Sequence, residues 1–216
     1  MSTQDHASVA PNASVVNAPA ANASAANYLS APNYASAPIP GLRLSRQVGD
    51  PPPGCTLIGG IGLPWLRDLD FGTAWLDRAA ALGGWPDNVR FEDLSYAAHR
   101  VMHRLEELQP GRVVLVGCMP RGDVPAGTVR RYAVADLGPL DLADVHERLT
   151  EAVGGIIDMD HTVAVCRWAK AFPPDTTVIE VEPEDREFGL GFSPAVELAV
   201  DQVMALVRRE LGGGVG

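Results

Sequence analysis

From Cys55 onward, short apolar runs alternate with segments whose apolar residues recur at the helical period. Strands buried on both faces read as continuous apolar runs, and amphipathic helices read as spaced ones. Their strict alternation is therefore the pattern of β-α units and a mainly parallel sheet, an α/β fold. Strands are expected over 56–61, 89–93, 112–117, 128–133 and 176–182, with helices between them over 72–82, 96–108, 143–153 and 162–171. Gly83 and Gly84 stop the first helix, and Ser95 is expected to cap the second, whose face carries Ala98, Val101, Met102, Leu105 and Leu108. A last helix opens on Ser193 as cap with Pro194 in its first turn. It buries Val196, Ala199, Val200, Val203, Leu206 and Val207, and it ends on Arg208 and Arg209 before Gly212.

Residues 1–50 have a different character. Up to about residue 40 they are built mainly from Ala, Ser, Asn and Pro, with asparagines at Asn12, Asn17, Asn22, Asn27 and Asn33, and cannot bury enough apolar surface to offset their ordering entropy. A disordered extension is expected, with Tyr28 and Tyr34 its only sticky points. Asp5 and Asp50 offset Arg43 and Arg46, so the whole net charge of −10 falls in residues 51–216, the expected folded domain. Pro51, Pro52, Pro53 and Gly54 form a stiff entry to its first strand.

That acidity argues against nucleic acid as a partner, because neutralising phosphates needs clustered Lys and Arg; that Lys170 is the only lysine carries no functional weight. No apolar run is long enough to cross a bilayer, and the N-terminus lacks a basic head followed by an apolar block, so no membrane role is expected. Cys55, Cys118 and Cys166 are odd in number, with no C-x-x-C spacing. Reduced thiols and a cytoplasmic location are the expectation, which leaves the sequons at Asn12 and Asn22 unused.

In open parallel sheets, ligands bind outside the C-terminal ends of the strands. After the first strand comes Gly60-Ile61-Gly62-Leu63-Pro64-Trp65-Leu66-Arg67-Asp68-Leu69-Asp70-Phe71-Gly72, where an indole at Trp65 replaces the glycine of a dinucleotide fingerprint. Other strand ends and loops offer Asp93, Cys118, Asp158, Asp160 and His161. Asp68, Asp70, Asp93 and His161, if convergent, have the chemistry of a divalent-metal site with nitrogen and oxygen ligands. Against that, Asp68 and Asp70 precede a helix, where acids stabilise the dipole without any ligand. His99 and His103 read as a solvated helix flank, and His146 and Cys166 as structural.

The order of these motifs resembles the hydrogenase maturation endopeptidases, which trim the C-terminal tail of the nickel-iron hydrogenase large subunit. The resemblance spans roughly residues 55–211. It rests on Gly60-Ile61-Gly62 through Asp68 to Gly72, the strand ending at Asp93, Pro125-Ala126-Gly127-Thr128-Val129, and Glu182-Pro183 followed by Gly189-Leu190-Gly191-Phe192-Ser193-Pro194. It implies a three-layer, phosphorylase/hydrolase-like α/β fold with a twisted, mostly parallel five-stranded sheet. It also implies a nickel-loaded large-subunit precursor as partner, the nickel belonging to the precursor and none being held intrinsically.

Three side chains contact that nickel in the family: an acid after the first glycine loop, an aspartate ending the third strand, and a histidine before a later helix. Here those slots fall on Leu69, Gly117 and Gly154 or Gly155, and the asparagine usual after Gly62 is Leu63. Asp68, the first of the family's acidic pair, is retained. Three expectations follow. A displaced set of Asp68, Asp70, Asp93, Cys118 and His161 takes over cleavage; or the chain binds the large subunit without cutting; or an unrelated small-molecule enzyme uses the scaffold, with Cys118 as nucleophile.

Overall fold

The computed structural model describes residues 54–212 and the strand Ser14–Val16 of the 216-residue chain. In chain order its elements are β1 (Ser14–Val16), β2 (Thr56–Ile61), a 3-10 turn at Arg67–Asp70, α1 (Phe71–Leu82), β3 (Val89–Asp93), α2 (Ala98–Leu108) and β4 (Arg112–Cys118). There follow β5 (Val129–Ala133), α3 (Leu142–Val153), α4 (Met159–Trp168), β6 (Thr176–Val181) and α5 (Pro194–Gly212). One sheet runs β1-β5-β6-β4-β2-β3. Its β3, β2, β4 and β6 are mutually parallel, while β5 is antiparallel to both β6 and β1.

Alternation along the central strands feeds two cores. Ile58, Val114, Val116, Ile179 and Val181 pack with Phe71, Trp75 and Ala79 of α1 and with Val196, Val203 and Val207 of α5. Leu57, Val113, Leu115 and Val178 face the other way, onto Val101 and Leu105 of α2 and Met159, Val163 and Cys166 of α4. Helices therefore cover both faces of the sheet, which makes three layers. Because successive side chains of a strand point to opposite faces, each central strand needs apolar residues throughout.

Two glycines of the first motif set how closely α1 lies on the sheet. A Cβ at Gly72 would overlap the backbone of Ile61, and one at Gly60 would meet Leu76 Cδ1 at 2.6 Å. The chain leaves β2 for β3 on one side and returns to β4 on the other. That places the topological switch point, and the crevice outside the strand ends, at β2 and β4.

All five expected strands form, and the sheet gains a sixth. Ser14–Val16 pairs with β5 in the register Ser14↔Arg131; the rest of the expected extension, residues 1–50, Tyr28 and Tyr34 included, lies outside the described residues. Helix starts shift for local reasons. Ser95 does not cap α2, because its hydroxyl accepts the Gly62 N–H at 3.0 Å and its own N–H is held by Asp93 at 2.9 Å; α2 begins at Ala98. The fourth helix begins at Met159 rather than 162, because Asp158 accepts the His161 N–H at 2.8 Å and so caps it earlier. Among the described residues no helix is long and apolar enough to cross a membrane.

Candidate functional site

Asp68 is fully buried behind the C-terminal ends of β2 and β6. Its Oδ2 accepts the N–H groups of Glu184 (2.9 Å) and Asp185 (2.8 Å) and the Ser193 hydroxyl (2.8 Å), and its Oδ1 accepts the Ser193 N–H (2.7 Å). Four donors saturate the carboxylate. Asp68 thus latches the loop after β2 to the loop before α5, and Ser193, whose oxygen also lies 3.4 Å from the Val196 N–H, both caps α5 and closes the latch.

Asp70 stands at the start of α1, where the Thr73 hydroxyl bridges its carbonyl and its carboxylate. Asp93 ends β3 and receives the Ser95 N–H. Cys118 is the last residue of β4 rather than part of the loop beyond it, and it is buried with its thiol donating to the Val181 carbonyl at 3.0 Å. Burial, with the charges of Asp68, Glu182 and Glu180 around it, pushes this thiol far above its ordinary range. The thiolate that nucleophilic attack requires is disfavoured there.

The other candidates lie across the sheet. His161, buried on α4, is held by Asp158 Oδ1 at Nδ1 (2.8 Å) and by Glu151 Oε2 at Nε2 (2.7 Å), which ties the end of α3 to the start of α4. Asp160 meets Arg121 in a two-pronged ion pair, both distances 2.8 Å. Arg121 also reaches Glu180 through Nε (2.9 Å) and a terminal nitrogen (2.8 Å). Glu182 accepts the N–H groups of Arg121 (3.0 Å) and Gly122 (2.9 Å). Burial opposes the charge on Arg121, but its bonds to Glu180 and Asp160 outweigh that and hold the guanidinium protonated beyond its ordinary range.

The structure places these candidates on opposite faces of the sheet. Cys118 follows Val114 and Val116 toward α1 and α5, and Asp68 joins the segment leading into α5 on that side; Asp93 shares the side by its register with Gly60. Asp158, Asp160 and His161 belong to α4, on the opposite face. Among the described residues no group of three or more His, Cys, Asp or Glu is placed to hold a metal ion.

The three slots named by the resemblance are closed or empty of ligands. Gly117 is in register with Ile61 on one side and Glu180 on the other, and a Cβ there would lie 2.9 Å from both Ile61 O and Met159 Cε. The thioether of α4 thus fills the space an aspartate would need. Leu69 donates its N–H to Leu66 O at 2.9 Å and accepts the Leu63 N–H at 2.8 Å, so its backbone ties the loop to the 3-10 turn. Gly154 and Gly155 follow α3 on the surface.

Sequence reasoning passes over Arg121, Glu151 and Glu180, and takes Glu182 only as part of a motif. Glu180 and Glu182 have a visible signal: they are two carboxylates alternating with the apolar Ile179 and Val181 of an expected strand, and such groups are buried only when paired.

Solved structures that share this fold, with helices on both faces of a mostly parallel sheet, include hydrogenase maturation proteases. The hydrogenase 2 maturation peptidase from Thaumarchaeota archaeon SCGC_AB-539-E09 matches with a TM-score of 0.52 at 20% identity, over 73% of this chain and 98% of that one. The hydrogenase maturating endopeptidase HybD from E. coli matches with a TM-score of 0.52 at 19% identity, over 72% and 93%. HybD from Thermococcus kodakarensis matches with 0.51 at 13% identity, over 73% and 99%. At such identities the likeness establishes the fold. No family model and no curated protein matches the sequence.

Proposed function

We propose that this chain serves in the maturation of a nickel-iron hydrogenase large subunit by binding the precursor, without cutting it. Support for the maturation role comes from the shared fold and from the motif order that resembles the endopeptidases. Support for binding without cleavage comes from one observation: the Gly117 slot is filled by Met159, while Leu69 and Gly154 or Gly155 offer no ligand atoms. The nickel in this reaction is the precursor's cargo, and these residues do not fit it. No step of a cleavage is therefore assigned to them.

The reading of Cys118 as a nucleophile is weakened by its burial and by the raised thiol. A displaced ligand set is weakened by the sheet that separates Asp68, Asp93 and Cys118 from His161. The test is incubation of the purified full chain with the nickel-loaded precursor encoded in the same genome, beside an active maturation endopeptidase. Co-elution with a precursor of unchanged length is expected. A shortened large subunit would overturn the claim that the chain does not cut, and failure to co-elute would overturn the claim that it binds.

A further inference from the structure

Two loops leave the C-terminal edge of the sheet side by side, residues 62–67 after β2 and 182–193 after β6. They are joined where they cross: the Gly189 N–H donates to Trp65 O at 2.7 Å, and the Arg67 N–H donates to Gly189 O at 3.3 Å. Just beneath, the four bonds to Asp68 fix both loops to the domain. Trp65 and Arg67 have φ of 67° and 42°, a left-handed conformation disfavoured for residues with a side chain. Strain of this kind persists only where the surroundings over-determine the backbone, and here the latch does so.

The strained turn holds large apolar side chains in water. Trp65 is 44% exposed, and the two chain neighbours of Gly189, Phe188 and Leu190, are 78% and 58% exposed. Single exposed apolar residues are ordinary, but three large ones at one hydrogen-bonded crossing make a patch. The second loop adds Glu182, Glu184, Asp185 and Glu187 against Arg186, in a domain that carries the whole net charge of −10; Asp185 is paired with Arg67 of the first loop at 3.2 Å, and Glu182 is buried against the N–H groups of Arg121 and Gly122. Of these, Glu184 and Glu187 are exposed beside the patch.

We infer that this crossing is a docking surface for an extended partner segment with apolar side chains flanked by arginine or lysine. The apolar side chains cover Trp65, Phe188 and Leu190, and the basic flanks answer the acidic loop and the field of the domain. As the place where a precursor is held, the surface rests on the function proposed above.

The experiment uses the full chain, the purified precursor and two fluorescent model peptides, one alternating arginine with leucine and phenylalanine, the other carrying glutamate in place of arginine. The basic peptide is expected to bind, more weakly as salt is added, and the acidic one not to bind. The double variant Trp65→Ser with Phe188→Ser should weaken binding of both basic peptide and precursor by about tenfold or more. The matched control, Leu142→Ser with Leu198→Ser, removes exposed leucines elsewhere and should leave both unchanged. All four side chains are exposed, and an unaltered melting curve verifies folding. A basic peptide that does not bind the wild-type chain, or binds the Trp65 and Phe188 variant equally well, overturns the docking surface. A precursor held equally by the wild-type chain and that variant overturns the surface and leaves the proposed function standing. A precursor not bound at all, beside a basic peptide whose binding depends on Trp65 and Phe188, overturns the proposed function and leaves the surface standing.

Discussion

At the scale of single residues, Asp68 carries the clearest consequence. Its carboxylate is fully buried, and both oxygens accept from the segment 184–193, more than a hundred positions away. An amide of the same shape keeps one acceptor oxygen and turns its NH2 toward backbone N–H groups that need an acceptor. Asp68→Asn should therefore lower stability by about 3 kcal/mol, the scale of losing charge-assisted bonds to buried donors. The check is urea unfolding, and an unchanged midpoint would remove Asp68 from its role as latch. The residue is legible in the sequence as an acid before a helix and as an aspartate in the motif that carries the resemblance. Its partners are not, because backbone N–H groups leave no mark on composition.

At the scale of elements, the pleat of the strand decides what each position can reach. Gly117 looks toward α4, and Cys118, one residue on, looks toward α1 and α5, so a thiol beside an absent aspartate is no substitute for it. Gly117→Asp should destabilise the domain by about 3 kcal/mol, since its Cβ would press on Met159 and on the Ile61 backbone. Met159→Ala costs stability by itself through the cavity it leaves. In combination the two should be less damaging than their sum by about 1 kcal/mol or more, because the shortened side chain makes room for the new one. A double-mutant cycle in denaturant measures this. Strict additivity would mean that Met159 does not fill the slot.

For the whole molecule, the thiols of Cys118 and Cys166 and the charge balance matter most. Cys118 and Cys166 lie on opposite faces of the sheet, and burial raises both thiols, that of Cys166 from its ordinary 9.0 to about 12. Above pH 9 the unfolded chain releases these protons while the folded chain keeps them. Stability is therefore intact below pH 9 and falls toward pH 12, by about 1.4 kcal/mol per pH unit for each thiol. Urea unfolding between pH 8 and pH 11 should show this decline, and Cys166→Ala should make it shallower. Equal slopes in the two proteins would show that Cys166 does not contribute. The acidic balance, which at first sight fits a metal site, is instead distributed through ion pairs such as those of Arg121 with Asp160 and Glu180, and over the exposed surface.

The alternation of apolar runs with helical periods was enough to place five strands and five helices, because burying a sheet on both faces demands that pattern whatever the protein does. The same sequence named Asp68, Asp70, Asp93, Cys118, Asp158, Asp160 and His161 as chemical groups, but it could not say which of them meet. That was decided by the tertiary structure. The sheet stands between His161 on α4 and the latch at Asp68, and segments far apart in sequence supply the partners of Arg121, Glu182 and Trp65. Periodicity is a local property that neighbouring residues express, whereas convergence depends on which face each side chain turns to and on what long-range packing brings against it.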